Sequence, residues 1–100
     1  MGKNKLPDII TAVIIDEPNP LTFEEVCHAL QTEQQFIIKL VEHDVLQPHG
    51  DTHTEWRFDS YNFKRAKTAA SFYHDLEINL SGIALALDLL DEIDRLKKLT

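Results

Sequence analysis

Cysteine, glycine and long apolar runs are scarce in this chain, and each scarcity excludes a class of function. A single cysteine, Cys27, excludes an internal disulfide framework and a structural zinc site built on several thiolates. The three glycines form none of the usual phosphate-binding loop patterns. No apolar run has the length of a membrane span, and the N-terminal residues have no signal-peptide cleavage pattern. We therefore expect a cytoplasmic protein that needs no cofactor.

Positive charge is also scarce. Ten Lys and Arg residues stand against seventeen Asp and Glu residues, which gives a formal net charge of -7. Such a balance argues against a protein whose main task is to bind phosphate backbones. The net charge is -7 over residues 1–56, +3 over residues 57–74 and -3 over residues 75–100. A small basic zone therefore lies between two acidic zones.

Two short helices are predicted at residues 22–43. Thr22 and Glu25 form a capping box before the first helix, and Thr32 and Gln35 form a second capping box before the next. Apolar residues follow each box at helical spacing. Two short helices joined by about three residues are the signature of a helix-turn-helix.

Short strands are predicted before and after these helices. The β-branched run at residues 9–15 favours a strand. Residues 45–47 and 56–58 are predicted as the two strands of a wing-like hairpin that spans residues 45–58. Because an isolated two-stranded ribbon is marginal, the strand at residues 9–15 is a candidate third strand of this sheet.

Two further helices are predicted at residues 60–99. Asp59 or Ser60 caps the third helix of the chain, and Asn79 caps the last, which continues to about Leu99. The sequence thus predicts a single, mainly helical domain of four helices and short strands, arranged as a winged helix-turn-helix.

The last helix carries two apolar faces. The face expected to cover the core of the domain consists of Ile83, Leu87 and Leu90. The second face keeps heptad spacing over roughly three turns, and it consists of Ala86, Leu89, Ile93 and Leu96. A domain of 100 residues has one core to cover, so we expect the second face to pair with a second copy in a homodimer. The alternative is a helix that is deeply buried within one monomer.

The candidates for a nucleic-acid contact are five cations, namely Lys39, Arg57, Lys64, Arg65 and Lys67. Lys39 is the only strong cation on the second helix, which also carries Glu33 and Glu42, so readout of DNA bases is disfavoured. The other four could bind nucleic acid weakly, or they form a solvated face that pairs locally with Asp59.

The chain resembles the MerR family of regulators, because its helix-turn-helix is followed by a wing and two helices. More narrowly, residues 56–59 (Trp-Arg-Phe-Asp) and the run from Asn79 to Ile93 resemble the CbpM family of bacterial chaperone modulators, which is MerR-like in fold. That resemblance implies a homodimer that binds the J-domain of the co-chaperone CbpA, blocks its access to DnaK and restrains its DNA binding. The alternative is a small MerR-type transcription regulator. Glu77 departs from the MerR pattern, which usually has glycine at that place.

The same resemblance implies a basic second helix on the J-domain, so a competitor should present carboxylates and apolar groups to it. Four candidate carboxylates lie on the last helix, namely Asp88, Asp91, Glu92 and Asp94. Three more lie on the first two helices, namely Glu24, Glu25 and Glu42. Which set faces the partner stays open, and a solvated helix surface is the alternative for both.

Metal binding and catalysis are not expected. His49 and His53 would have a chelating spacing only in a helix, and their loop is expected to form a turn. Asp91 and Asp94 lie on an exposed helix, which offers no pocket for acid–base catalysis. Cys27 is predicted to be a small buried hydrophobe. We therefore expect a binding protein and not an enzyme.

Overall fold

The computed structural model describes residues 19–99, within which four helices pack with a small two-stranded sheet. In chain order the elements are β1 (Leu21–Thr22), α1 (Phe23–Leu30), α2 (Gln34–Glu42), a short 3₁₀ helix (His53–Glu55), β2 (Arg57–Phe58), α3 (Ser60–Asp75) and α4 (Leu80–Lys97). Three residues join α1 to α2, as expected for a helix-turn-helix. The strand predicted at residues 9–15 lies outside the described residues. Within residues 19–99, none of the helices has the length and apolar content that crossing a bilayer requires.

The capping box predicted at the start of α1 is confirmed. The Thr22 hydroxyl accepts a hydrogen bond from the Glu25 backbone N–H (3.1 Å), and the Glu25 carboxylate accepts one from the Thr22 N–H (2.9 Å). The second predicted box is wrong, because Glu33 is the N-cap of α2 and its side chain makes no capping bond. Thr32 instead belongs to the end of α1, where its N–H donates to the Cys27 carbonyl (3.0 Å).

The small sheet pairs β1 with β2 and not the two strands predicted for the wing. Leu21 lies opposite Phe58 and Thr22 lies opposite Arg57, in antiparallel register. Arg57 also forms a single bridge with His49, through backbone N–O distances of 3.0 and 2.9 Å. The wing is therefore closed by one bridge.

The strand predicted at residues 45–47 is wrong, because a side chain from α3 bonds the backbone groups that a strand would use. The Gln47 N–H donates to Asn62 Oδ1 (2.9 Å), and Asn62 Nδ2 donates to the Gln47 carbonyl (3.3 Å). Val45 and Leu46 are buried in the core. The segment is thus irregular backbone, held by the hydrogen bonds to Asn62 and by the burial of Val45 and Leu46.

The core lies between the helix-turn-helix, the wing and the two C-terminal helices. Its largest fully buried side chains are Val26, Ile37, Leu40, Val45, Leu46, Phe58 and Ile83. From α3 it receives Ala66 and Ala69, whose small side chains allow neighbouring helices to approach closely.

The last helix leaves the core earlier than predicted. Ile83 and Leu87 are buried, with 0% and 3% of their surfaces exposed, but Leu90 is 45% exposed. The assignment of Leu90 to the core is therefore wrong. At that turn α3 presents Lys64 and Thr68 to α4, and these side chains do not close an apolar core over Leu90.

The turn between α3 and α4 has the backbone conformation that glycine usually supplies. Glu77 has a φ of +56°, and the next residue, Ile78, donates its N–H to the Phe72 carbonyl (3.1 Å). The left-handed conformation costs a non-glycine residue about 1–2 kcal/mol. Gly82 lies in the first turn of α4, where a Cβ atom would lie 2.8 Å from Cγ2 of Ile78, so a larger residue there would force the Ile78 side chain to shift.

Candidate protein-interaction surfaces

Arg65, predicted as a nucleic-acid contact, is buried in α3 with 8% of its surface exposed. Its Nε donates to the Val45 carbonyl (2.7 Å), and its Nη1 donates to the Tyr61 hydroxyl (3.2 Å) and to the Asp91 carboxylate. Its Nη2 lies 3.5 Å from an oxygen of Asp88. The prediction is wrong because a buried guanidinium needs partners, and the fold supplies them from within the chain.

A cleft of about 360 Å³ opens beside Arg65, and we call it the acidic cleft. The exposed ring of Tyr61 also lines it, together with the carboxylates of Asp44, Asp59, Asp88 and Asp91. The side chains of Asp88 and Asp91 are 75% and 46% exposed. Four carboxylates against one guanidinium leave an excess of negative charge that a cation from solution can reach.

The four carboxylates of the acidic cleft are placed by different local features of the chain. Asp59 is the N-cap of α3, as predicted. Asp44 follows α2 with a φ of +61°, a conformation that Asp adopts more readily than most residues. Asp88 and Asp91 lie three positions apart on one side of α4. Sequence reasoning missed Asp44, Asp59 and Tyr61 as members of the cleft, because contacts between segments that are distant in sequence, such as the bond from Arg65 to the Val45 carbonyl, bring them near Asp88 and Asp91.

Tyr61 links α3 to α4 at the rim of the acidic cleft. Its hydroxyl donates to Asp91 (2.7 Å), and its ring centroid lies 5.6 Å from the guanidinium carbon of Arg65. The hydrogen bond to Asp91 raises the pKa of Tyr61, burial raises it further, and the positive charge of Arg65 opposes the increase. With 54% of its surface exposed, Tyr61 also offers an aromatic ring to a partner.

The two other carboxylates predicted on α4 pair with neighbours on the same helix. Glu92 accepts hydrogen bonds from Arg95, three positions later. Asp94 lies 3.2 Å from the ammonium of Lys98, four positions later. Neither residue lines the acidic cleft, so the structure separates them from Asp88 and Asp91.

The carboxylates predicted on the first two helices have different environments. Glu25 is used in the capping box of α1. Glu24 and Glu42 are exposed and form no ion pair within the described part of the chain.

Burial raises the pKa of the Cys27 thiol, and the charge of Glu24 raises it further. Cys27 is therefore a protonated, buried side chain, as predicted.

An apolar stripe runs along the outer side of α4, and we call it the α4 stripe. It consists of Leu85, Ala86, Leu89, Ile93 and Leu96. Leu89, Ile93 and Leu96 are 55%, 49% and 48% exposed, so the alternative in which one monomer buries this face is wrong. Leu85, 62% exposed, was absent from the predicted face, although its spacing of four from Leu89 is the signal for it.

The predicted cations other than Arg65 are exposed, and they line three different grooves. Lys64 and Lys67 line a groove on α3, and Lys39 lines a second groove beside the start of α4. Arg57 lines a third groove beside α1.

The two histidines of the wing have structural contacts. His53 lies in the 3₁₀ helix, and its ring centroid is 4.5 Å from that of Trp56. His49 forms the backbone bridge with Arg57. Within residues 19–99, no group of three or more His, Cys, Asp or Glu side chains is placed to hold a metal ion.

Comparison with known proteins gives a family match and several relatives. Residues 21–99 match the family described as MerR HTH family regulatory protein. The protein named chaperone modulatory protein CbpM from Coxiella burnetii (strain Dugway 5J108-111) is 49% identical over 90 residues, which cover 90% of this chain and 85% of the relative. The proteins of that name from Pseudomonas putida (strain W619) and Pseudomonas entomophila (strain L48) are each 34% identical over 77 residues, covering 77% of this chain and 76% of each relative. No solved structure matches the chain. The family match agrees with the mainly helical, MerR-like fold predicted from the sequence.

Proposed function

This chain belongs to the CbpM family of chaperone modulatory proteins, within the MerR helix-turn-helix regulatory proteins, and we propose that it binds the J-domain of a CbpA-like co-chaperone. Binding would inhibit the work of that co-chaperone with DnaK and its binding of DNA. The relatives and the family are both named for regulation, in agreement with the prediction that the chain is not an enzyme. We further propose that it acts in the cytoplasm as a homodimer.

The acidic cleft is the observation that carries this proposal. The resemblance to the CbpM family implies a partner with a basic helix, and such a helix needs a surface with an excess of carboxylates. In the acidic cleft, Asp44 and Asp88 extend the negative charge outward from the pair of Arg65 with Asp91. Complementary charge raises the encounter rate and the specificity of association. The exposed ring of Tyr61 adds apolar contact area and a face for a cation.

Among the predicted carboxylates, those of the acidic cleft are the better candidates for the partner. Glu92 and Asp94 each pair with a cation of their own on the same helix, whereas the four carboxylates of the acidic cleft share the single guanidinium of Arg65. Glu24 and Glu42 are free of ion pairs within residues 19–99, but neither of them lines the acidic cleft. They are the second set of candidates, which the same experiment tests.

The α4 stripe supports the proposed homodimer. Leu89, Ile93 and Leu96 each expose about half of their surface. Burying a whole side chain of this kind contributes roughly 1.5–3 kcal/mol, and about half of each side chain remains to be buried, so three such residues on each copy offset part of the cost of association. A twofold axis through the stripe would bring the same residues of two copies into contact.

The experiment is a calorimetric titration of the chain with the J-domain of a CbpA-like protein at low, physiological and high salt. We expect binding that weakens as salt increases, because exposed charges are screened. Asp88→Asn and Asp44→Asn should each weaken binding. Glu92→Gln, with the same change of charge on the same helix, is the matched control and should bind like the parent.

Two other outcomes are informative. Weaker binding by Glu24→Gln and Glu42→Gln, with Asp88→Asn and Asp44→Asn unchanged, would place the partner on the helix-turn-helix. Absence of any J-domain binding would overturn the proposed function.

A small MerR-type DNA-binding transcription regulator is the second candidate. Its support is that Lys39, Lys64 and Lys67 are exposed and form no ion pair within residues 19–99. Titration with labelled duplex DNA at low salt distinguishes the two. Sequence-specific DNA binding without J-domain binding would establish the second candidate and exclude the first.

A further inference from the structure

The C-terminal part of α4 projects from the body of the domain. Ile83 and Leu87 are buried, and every residue from Asp88 to Leu99 is exposed. We call residues 88–97 the α4 arm, a helical segment about 15 Å long. Because the arm carries most of the α4 stripe, its direction decides where the stripe points.

Apolar packing holds α4 mainly at Ile83 and Leu87, because Leu90 is only partly covered by α3 and the later side chains are exposed. Polar contacts begin directly after Leu87, where Arg65 reaches both Asp88 and Asp91. The same guanidinium donates to the carbonyl of Val45, in the segment that follows the helix-turn-helix. A planar guanidinium with directed donors permits few arrangements of its partners.

We propose that Arg65 is a positioning residue, which fixes the direction of the α4 arm relative to the helix-turn-helix. Without its side chain, α4 stays attached through Ile83 and Leu87, but the continuous helix can tilt as a unit about that contact, which displaces the arm. For self-association this inference rests on the proposed homodimer. A stripe that is held in one direction loses less conformational freedom when it pairs, so the contact of Arg65 also strengthens the dimer.

The carboxylates that hold the arm also line the acidic cleft. A cationic side chain of a partner therefore competes with Arg65 for Asp88 and Asp91. Occupation of the cleft and the direction of the arm are then coupled, and such coupling is reciprocal for binding free energies. Coupling of the usual size changes an affinity by about 5- to 150-fold.

Spin-label distances within one chain test the direction of the arm. The labels go on cysteines introduced at Ala29 in α1 and at Arg95 on the arm, both of which are exposed. The background is the full chain with Cys27→Ala. Labelled chains are diluted with unlabelled chains, so that distances between copies do not contribute.

The variants remove the contact in graded steps. Arg65→Met removes the guanidinium, Asp91→Asn removes the charge of its main partner, and Arg65→Lys keeps a charge without the planar fork. Asp94→Asn is the matched control, because Asp94 pairs with Lys98 outside the acidic cleft. Circular dichroism measures whether each variant retains its helices.

We expect one narrow distance distribution in the parent and in Asp94→Asn. Arg65→Met and Asp91→Asn should give a broader or displaced distribution, with Arg65→Lys between them and the parent. If Arg65→Met does not fold, the other two variants decide the question. Distances in Asp91→Asn and Arg65→Lys that equal those of the parent would overturn the positioning role.

Sedimentation of the same samples separates this inference from the proposed homodimer. A parent that sediments as a monomer overturns the homodimer and leaves the distance result standing. A dimeric parent whose distances do not respond to the variants overturns the positioning role alone.

Discussion

The hydroxyl of Tyr61 on α3 donates a hydrogen bond of 2.7 Å to Asp91 on α4, thirty positions later in the chain. Asp91 also accepts from Arg65, so one carboxylate of α4 is bonded to two side chains of α3. The hydrogen bond raises the pKa of Tyr61 because the carboxylate stabilises the protonated phenol. Ionisation of Tyr61 is therefore coupled to the contact between the last two helices.

We expect Tyr61 to make the fold less stable at alkaline pH. A raised pKa in the folded state contributes stability that is fully present below the unfolded pKa, about 10 for tyrosine. That contribution is lost as the pH rises through the folded-state pKa of Tyr61. Urea unfolding above about pH 10 should therefore show a steeper loss of stability in the parent than in Tyr61→Phe. The control, Tyr73→Phe, removes a different tyrosine of α3, and its free energy of unfolding should fall with pH as steeply as that of the parent. Equal slopes against pH for the parent and both variants would contradict the prediction.

Leu89→Glu and Ile93→Glu are each expected to convert the proposed homodimer into a monomer. Each change replaces an apolar side chain of the α4 stripe with a charge. Because Leu89 and Ile93 are about half exposed, each change loses roughly 0.8–1.5 kcal/mol of burial per copy, and the partner must also desolvate the new carboxylate. Sedimentation equilibrium measures the mass. Ala29→Glu, an equal change of charge on the exposed side of α1, should leave the mass unchanged. A dimeric mass in both stripe variants would refute the α4 stripe as the seam.

Asn62→Ala is expected to lower the free energy of unfolding by about 1–3 kcal/mol. The change removes the amide that bonds both the N–H and the carbonyl of Gln47, and leaves these backbone groups without that partner. Denaturant titration measures the loss. Asn19→Ala, at an exposed position, is the control and should stay within about 0.5 kcal/mol of the parent. A similar value for both variants would show that the link to Gln47 contributes little.

Glu77→Gly is expected to raise the free energy of unfolding by up to about 1.5 kcal/mol, the net of two opposing effects. Glycine relieves about 1–2 kcal/mol of left-handed strain at this φ, and loses roughly 0.5–1 kcal/mol through the greater freedom of the unfolded chain. Thermal unfolding gives the comparison. Glu77→Gln keeps the side-chain size and removes only the charge, so a gain in that variant instead would assign the effect to charge and not to the backbone.

Features that depend on neighbours in sequence could be predicted from the sequence. The capping box of Thr22 with Glu25 and the cap of Asn79 on α4 follow from residues three positions apart. The same pattern at Thr32 was misleading, because Gln31 adopts a left-handed conformation that ends α1 and draws Thr32 into that end. Thr32 fits both a capping box at the start of α2 and the end of α1, and in the structure it takes part in the end of α1.

Features that depend on contacts between residues distant in sequence could not be predicted from the sequence. Val45 to Gln47 have the composition of a strand, but their backbone partner is Asn62, which lies fifteen positions after Gln47. Arg65 was included in the basic zone of residues 57–74. Asn62, three positions before it, and Ala69, four positions after it, are both buried and lie on the same side of α3. This helical spacing indicated that Arg65 would be buried, and a count of charges does not take it into account.

The angular order of side chains around α4 has a consequence for how its sequence can vary. Ile83 and Leu87 face the core, Asp91 faces Arg65, and Leu89 points outward. Each residue advances the helix by about 100°, so one residue inserted after Leu87 would rotate every later side chain by more than a quarter turn. The carboxylates would leave Arg65, and charged groups would enter the outer face. The length of this helix is thus constrained more strictly than its composition, and exchanges of residues should be tolerated where single insertions or deletions are not.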